Sequence, residues 1–153
     1  MHGTTTAQHL PTCHLLQASC ISHIQYPDEQ YGFAKMRYVY IGLGALMLLF
    51  AGVQYNDPDG LFWAIIYLIP ALFAIVAAVR PAALGAGSGQ VVLLVAILAA
   101  AAAMVYYWPR TEQFWRIDVW WHTETAREGM GLMVGLLVLL IAWAGSRSAA
   151  RRT

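Results

Sequence analysis

Four long apolar stretches separated by short polar segments dominate this sequence. Each is close to the roughly 20 residues that a helix needs to cross the hydrocarbon core of a bilayer, and none contains Asp, Glu, Lys, Arg or His. Lipid offers no hydrogen-bond partner to an open backbone, and barrel strands are shorter and alternate in polarity, so each stretch is predicted to be a helix. The pattern predicts an all-α, polytopic membrane protein with a four-transmembrane-helix bundle. Its helices are expected at about residues 38–55, 61–79, 91–108 and 129–145.

The composition supports a membrane environment. Of 153 residues, 59% are hydrophobic and 11% are charged, whereas about a quarter of the residues in a soluble domain are charged. These few charges cannot cover a globular surface, so the lipid bilayer is an expected partner. The net charge is +1 and no cluster of Lys or Arg forms a stripe, so nucleic acid is not expected as a partner.

The two ends of the chain differ from the four-helix domain, which is predicted to cover residues 36–145. Residues 1–35 hold four of the five histidines, both cysteines and no spanning stretch. We predict a poorly structured N-terminal extension there. Met36 directly precedes the first apolar stretch, which suggests that residues 1–35 are an upstream extension and that Met36 is the start. Residues 146–153 form a basic C-terminal tail.

The distribution of Lys and Arg predicts the orientation, because cytoplasmic loops are richer in these residues. One side carries six basic residues, namely Lys35, Arg37, Arg80, Arg147, Arg151 and Arg152. The other side carries Arg110, Arg116 and Arg127. The bias predicts a multi-pass protein of the cell inner (plasma) membrane with both termini cytoplasmic.

A candidate polar site lies at the non-cytoplasmic rim. Every acidic residue after Met36 falls in the segments that join the first helix to the second and the third to the fourth. In the second of these segments Phe114, Ile117 and Trp121 recur at helical spacing, which predicts a short interfacial helix. The candidate site residues are Asn56, Asp57, Asp59, His122, Glu124, Arg127 and Glu128.

The first polar element, Asn56-Asp57-Pro58-Asp59, has two interpretations. Its carboxylate and amide oxygens are hard donors of the kind that a divalent cation prefers. Alternatively, Asp57 is a good N-cap, Pro58 fits the first helical position and Asp59 favours the positive end of the helix dipole. Helix capping is the favoured interpretation, and the two do not exclude each other.

The second polar element also has two interpretations. Glu124 and Glu128 share a helical face, where paired carboxylates bind a metal or share a proton. Alternatively, Thr125 and Glu128 form a capping box, and Arg127 pairs with an acid of the first loop. Structure alone is the favoured explanation. His122 has no second nitrogen ligand nearby, so it is expected to be an interfacial histidine, and the identity of any metal stays unknown.

The remaining features concern packing and missing motifs. Gly131 and Gly135 form a small-xxx-small pair, which predicts close helix packing within the bundle and leaves a homo-oligomer open. No charge lies at mid-membrane, where transporters keep ionisable groups. The sequence holds neither an HExxH motif nor a nucleophile elbow. No catalytic residue and no cofactor is therefore expected.

The motifs resemble those of one known family. An apolar helix that ends in Gln54-Tyr55-Asn56-Asp57-Pro58-Asp59, with Trp63 and Tyr67 following in the next helix, resembles the transmembrane protein 220 family. The later segment Glu124-Thr125-Ala126-Arg127-Glu128-Gly129 is similar to that family's entry into its last helix. The resemblance covers about residues 36–144. It implies a small four-helix membrane protein and no established enzymatic activity.

The function expected from these observations is that of a non-enzymatic accessory or small-ligand-binding module with a polar site at the rim. One alternative is a membrane enzyme or a metal-dependent carrier that uses the rim carboxylates. Another is an accessory subunit of a larger membrane complex. The sequence names neither the ligand nor the partner.

Overall fold

The computed structural model of the protein describes residues 27–108 and 112–151, and in these ranges every regular element is a helix. The predicted all-α class is therefore confirmed. The elements in chain order are α1 (Pro27–Val53), a 3-10 turn (Gln54–Asn56), α2 (Gly60–Val79), α3 (Pro81–Gly85), α4 (Gly87–Tyr107), α5 (Ile117–His122) and α6 (Glu124–Ala150).

Four of these helices, α1, α2, α4 and α6, are long and apolar enough to cross a membrane. Many of their large apolar side chains lie on the outside, as on α4, where Val95 and Leu98 are more than half exposed. Water would penalise such a surface, whereas lipid accepts it. The chain is a multi-pass membrane protein with four spanning helices, as predicted.

Two helices are longer than the apolar pattern indicated. α1 begins at Pro27 and so includes residues 27–35, which precede Met36. Residues 1–26 lie outside the described ranges, and the predicted N-terminal extension stays a prediction. α6 has 27 residues, about 40 Å of helix at 1.5 Å per residue. The hydrocarbon core is about 30 Å thick. The first turn of α6, residues 124–128, therefore projects beyond the uncharged stretch 129–145, and the helix also continues into the basic tail.

The buried core forms three clusters along the bundle, and α6 contributes to each of them. Leu139 packs in the first cluster, Val138 in the second and Leu132 in the third. The third cluster also contains the buried aromatic side chains of Trp63 and Tyr67 from α2. This aromatic cluster lies at the end of the bundle where the two acidic segments emerge, so it forms the base of the region described next.

The glycine pair of α6 faces α2 within the same chain. A Cβ at Gly131 would overlap the hydroxyl of Tyr67, and a Cβ at Gly135 would lie 3.5 Å from Cγ of Pro70. The structure thus places both glycines at an intramolecular contact. Gly131 allows Tyr67 to reach the backbone of α6, which no larger residue would permit without a shift.

Candidate functional site

A cavity of about 640 Å³ lies where α1 passes into α2 and where α6 begins. Its walls come from the end of α1, the α1–α2 connection, α2, α5 and the first turns of α6. The lining residues are Phe50, Val53, Gln54, Asn56, Asp57, Asp59, Trp63, Tyr67, Trp121, Glu124, Arg127, Glu128, Met130, Gly131 and Val134. Six of the seven predicted site residues are among them, and His122 is not.

Three carboxylates converge at this cavity. Asp59 comes from the α1–α2 connection, and Glu124 and Glu128 come from the first turn of α6. One oxygen atom from each of the three side chains lies within 4.8 Å of the others. The fold therefore brings together two acidic elements that are far apart in the sequence.

A tight turn holds Asp59 in this position. The backbone N–H of Asp57 donates to the carbonyl of Gln54 at 3.1 Å, and the N–H of Gly60 donates to the carbonyl of Asp57 at 3.0 Å. A Cβ at Gly60 would overlap the carbonyl oxygen of Gln54, so the turn requires glycine at this position. The connection can therefore be short, and Asp59 stays at the entrance to α2.

The carboxylate of Asp59 has a partner one helical turn further along. The indole N–H of Trp63 donates to Oδ2 of Asp59 at 2.8 Å, and Trp63 itself is only 1% exposed. A hydrogen bond to a carboxylate is stronger than a neutral one and fixes the direction of the side chain. Trp63 thus orients Asp59 towards the two glutamates.

Both predicted caps are wrong. The N-cap of α2 is Asp59 rather than Asp57, and its side chain makes no capping hydrogen bond, because its carboxylate is bound by Trp63. The N-cap of α6 is Thr123, again without a side-chain bond, so the box from Thr125 to Glu128 does not form. The backbone N–H groups of residues 126 and 127 donate to the carbonyl of Thr123 instead, which starts the helix two residues earlier.

The charge of the cluster is not balanced by a contact ion pair. Arg127 lines the cavity, but the ion pair within 4.0 Å that the described residues form is Arg116–Asp118. The expected pairing of Arg127 with an acid of the first loop is therefore not formed. Burial and the neighbouring carboxylates of Asp59 and Glu124 raise the pKa of Glu128 to about 7, against the opposing effects of Trp63 and Arg127.

Aromatic side chains form the base of the cavity. The rings of Trp63 and Tyr67 are 6.1 Å apart, and Phe50 meets Tyr67 edge-on at 5.7 Å. Tyr67 is 3% exposed, and its hydroxyl lies against Gly131. Within the described parts of the chain, that hydroxyl makes no hydrogen bond.

These aromatic residues were absent from the predicted site, although the sequence carried a signal for them. Asp59, Trp63 and Tyr67 are spaced by four residues, which places them on one face of a helix. The hydrophobic pattern alone assigns Trp63 and Tyr67 to packing. Their position in the lining of the cavity follows from Asp59, which lies four residues before Trp63 on the same helical face.

A short helix, α5, lies in the segment where one was predicted, and its interfacial location stays a prediction. Arg116 precedes it and binds both carboxylate oxygens of Asp118, at 2.7 and 3.0 Å. These hydrogen bonds lower the pKa of Asp118 below its ordinary value. Trp121 reaches the cavity, whereas His122 is exposed and lies outside the lining. Trp121 and His122 cannot both face the cavity, because adjacent side chains of a helix diverge by about 100°.

The arrangement suits the binding of a positively charged group. Carboxylate oxygens at this spacing can coordinate a cation or accept hydrogen bonds from an ammonium group. Asp59, Glu124 and Glu128 are the residues that would hold either one.

The comparisons with known proteins concern both polar segments. A family model described as "Transmembrane family 220, helix" matches residues 46–144, a range that includes the α1–α2 connection and the first turn of α6. No curated protein and no solved structure matches the chain. The matched range also contains the acidic residues that line the cavity. Because the family model spans well over half of the chain, the chain belongs to transmembrane family 220.

Proposed function

We propose that this protein is a non-enzymatic, small-ligand-binding module of the membrane, with its site in the cavity at the non-cytoplasmic rim. The convergence of Asp59, Glu124 and Glu128 on one cavity carries the proposal. Pockets for small ligands have volumes of roughly 300–1,000 Å³ and combine an apolar lining with a few convergent polar groups. This cavity meets both criteria.

The alternative of a purely structural role explains the carboxylates less well. They do not form the caps that the sequence predicts, and the nearest arginine does not pair with them. Carboxylates placed close together repel one another when ionised, so the cluster lowers stability unless something binds there. Such perturbed groups in a cleft are typical of functional sites.

The assignment as a binding module rather than an enzyme rests on the residues that line the cavity. His122 lies outside that lining, whereas Asp59, Glu124 and Glu128 converge within it. The groups that do converge bind charge well, and a binding role uses all three of them.

The proposed orientation places both termini in the cytoplasm and the cavity on the opposite side of the inner membrane. Six basic residues on one side against three on the other support it. Single cysteines at positions 57 and 80, in a background with Cys13 and Cys20 changed to Ser, test it. A membrane-impermeant maleimide should label position 57 in intact cells and position 80 only after lysis. The reverse pattern would contradict the orientation.

Copurification tests the binding function. The protein is purified in a mild nonionic detergent, and its bound compounds and metals are measured by mass spectrometry and elemental analysis. We expect a compound or ion that is present at a fixed ratio in the wild type and lost in Asp59→Asn and Glu128→Gln. Asp118→Asn is the matched control, because this acid is exposed and paired outside the cavity. A ligand profile that is the same in all four proteins would refute the proposal.

A further inference from the structure

We infer that the segment before α6 docks on the surface of a zwitterionic phospholipid bilayer through three outward side chains, Trp115, Ile117 and Trp121. We call these three side chains the docking face. The inference is independent of the proposed binding function, because it needs no ligand in the cavity. It also differs from the sequence pattern, in which Phe114, rather than Trp115, accompanied Ile117 and Trp121.

The docking face consists of highly exposed apolar side chains. Trp115 is 72% exposed, Ile117 78% and Trp121 68%. Ile117 and Trp121 are four residues apart in α5, which places them on one side of this helix. Val119 and Trp120, by contrast, are half-buried. Large apolar side chains exposed together typically mark a surface that contacts lipid or another protein.

An internal aromatic cluster fixes the direction of the docking face. The rings of Phe114 and Trp120 lie 5.3 and 5.1 Å from the ring of Trp108, the C-cap of α4. The indole N–H of Trp120 also donates to the carbonyl of Phe114 at 2.7 Å. Phe114 therefore packs within the segment, and Trp115 next to it remains exposed.

The arginine of the segment is held by its neighbours. Arg116 donates to the two carboxylate oxygens of Asp118 at 3.0 and 2.7 Å, and to Oε1 of Gln113 at 3.1 Å. With Glu112, the segment has two acids against this one arginine. Charge therefore gives the segment little attraction to an anionic headgroup, and apolar contact is what would bind it to a membrane.

The position of the segment favours lipid over protein as the partner. α4 ends at Tyr107 and α6 begins at Glu124, so the segment is tied at both ends to spanning helices. The contacts of Trp108 keep the aromatic cluster at the end of α4. The docking face therefore lies at the level where the lipid-exposed surface of α4 ends. Tryptophan side chains concentrate at this boundary between hydrocarbon and water.

Fluorescence of the full chain in phosphatidylcholine vesicles tests the inference. Cys13 and Cys20 are changed to Ser, and a nitrobenzoxadiazole label is attached at Trp115→Cys or Ile117→Cys. Iodide, present on both sides of the membrane, quenches a label in water, whereas a nitroxide carried by the lipid quenches a label in the bilayer. Leu98→Cys, on the exposed side of α4, is the membrane reference. Labelled free cysteine in buffer is the aqueous reference.

We expect the lipid nitroxide to quench the labels at positions 115 and 117, and iodide to quench them several-fold less than it quenches labelled free cysteine. Added phosphatidylglycerol should not change these values, because the docking face is apolar. A label at Trp121→Cys should gain iodide access several-fold when Trp115 and Ile117 are both changed to Gln. Glu112→Gln is the matched control and should leave that label unchanged. If the double variant does not fold, the labels at positions 115 and 117 still decide.

Three results would overturn the inference. Iodide quenching at both positions equal to that of labelled free cysteine would place the docking face in water. Protection from both iodide and the lipid nitroxide would mean that protein covers it, such as a second copy of this chain. Lipid quenching that appears only with phosphatidylglycerol would assign the contact to charge. None of these results concerns the ligand of the cavity, so copurification tests the proposed function separately.

Discussion

Substitution of alanine at three glycines of α6 gives a sharp test of how this helix packs. A Cβ at Gly131 would overlap the hydroxyl of Tyr67 and lie 2.7 Å from two of its ring carbons. A Cβ at Gly135 would lie 3.5 Å from Pro70, an ordinary van der Waals contact, and a Cβ at Gly129 would have no atom within 4 Å. The three positions thus share one helix and differ in the space that surrounds them.

The expected magnitudes follow from these distances. Overpacking in a core costs about 1–3 kcal/mol, and for a chain of this size each kcal/mol changes the melting temperature by roughly 2–4 °C. Gly131→Ala should therefore lower the melting temperature by roughly 2–12 °C. Gly129→Ala should leave it unchanged or raise it, because alanine favours the helix by up to about 1 kcal/mol. Gly135→Ala should lie between them.

The assay is thermal unfolding in one mild detergent, followed by intrinsic tryptophan fluorescence. A Tyr67→Leu background tests the cause, since removal of the phenol should abolish most of the difference between Gly131→Ala and Gly129→Ala. Equal melting temperatures for these two variants in the wild-type background would refute the packing described here. An undiminished difference in the Tyr67→Leu background would assign the cost to another contact.

Three further predictions concern the acidic rim. The pKa of the Glu128 carboxyl is raised in the folded protein, so this group favours the fold while it is protonated. The purified protein should therefore lose about 1–2 kcal/mol of stability, allowing for solvent screening, as the pH rises from 4.5 through 7. Glu128→Gln should flatten this dependence of the melting temperature on pH. Trp63→Phe keeps an aromatic ring but removes the bond to Asp59, and it should cost about 1.5–3 kcal/mol, a loss that should shrink in an Asp59→Asn background. Gly60→Ala would overlap the carbonyl of Gln54 and should cost about 1–3 kcal/mol in thermal unfolding, whereas Gly52→Ala, with open space around it, should not.

The positions of the acidic residues were predicted only in part. The sequence predicted that both acidic segments leave the membrane on the same side, because an intervening pair of spanning helices returns the chain to that surface. It did not predict that Asp59 meets Glu124 and Glu128 while His122 remains outside. Which of the acids meet depends on the rotation of each helix about its own axis, and hydropathy carries little information on that rotation.

The capping motifs failed for a related reason. Local motifs assume that a side chain has only its own backbone as a partner, and both Asp57 and Thr125 fit such motifs well. In the folded protein, Trp63 binds the acid at the start of α2, and α6 begins at Glu124, which places Thr125 inside the helix. A partner four residues away and an earlier helix start outweighed the local preference.

The four spanning helices, the short helix before the last of them and the common side of the acidic segments could all be predicted from the amino-acid sequence, because bilayer thickness and backbone hydrogen bonding leave an uncharged stretch few alternatives. The folded structure was needed to show that Tyr67 packs against Gly131 and not against Gly129, and that Trp63 and Tyr67 form the base of an acidic cavity. These outcomes depend on distances between side chains of different helices. Such distances follow from how the helices pack against one another, and the linear order of apolar and polar residues does not contain them.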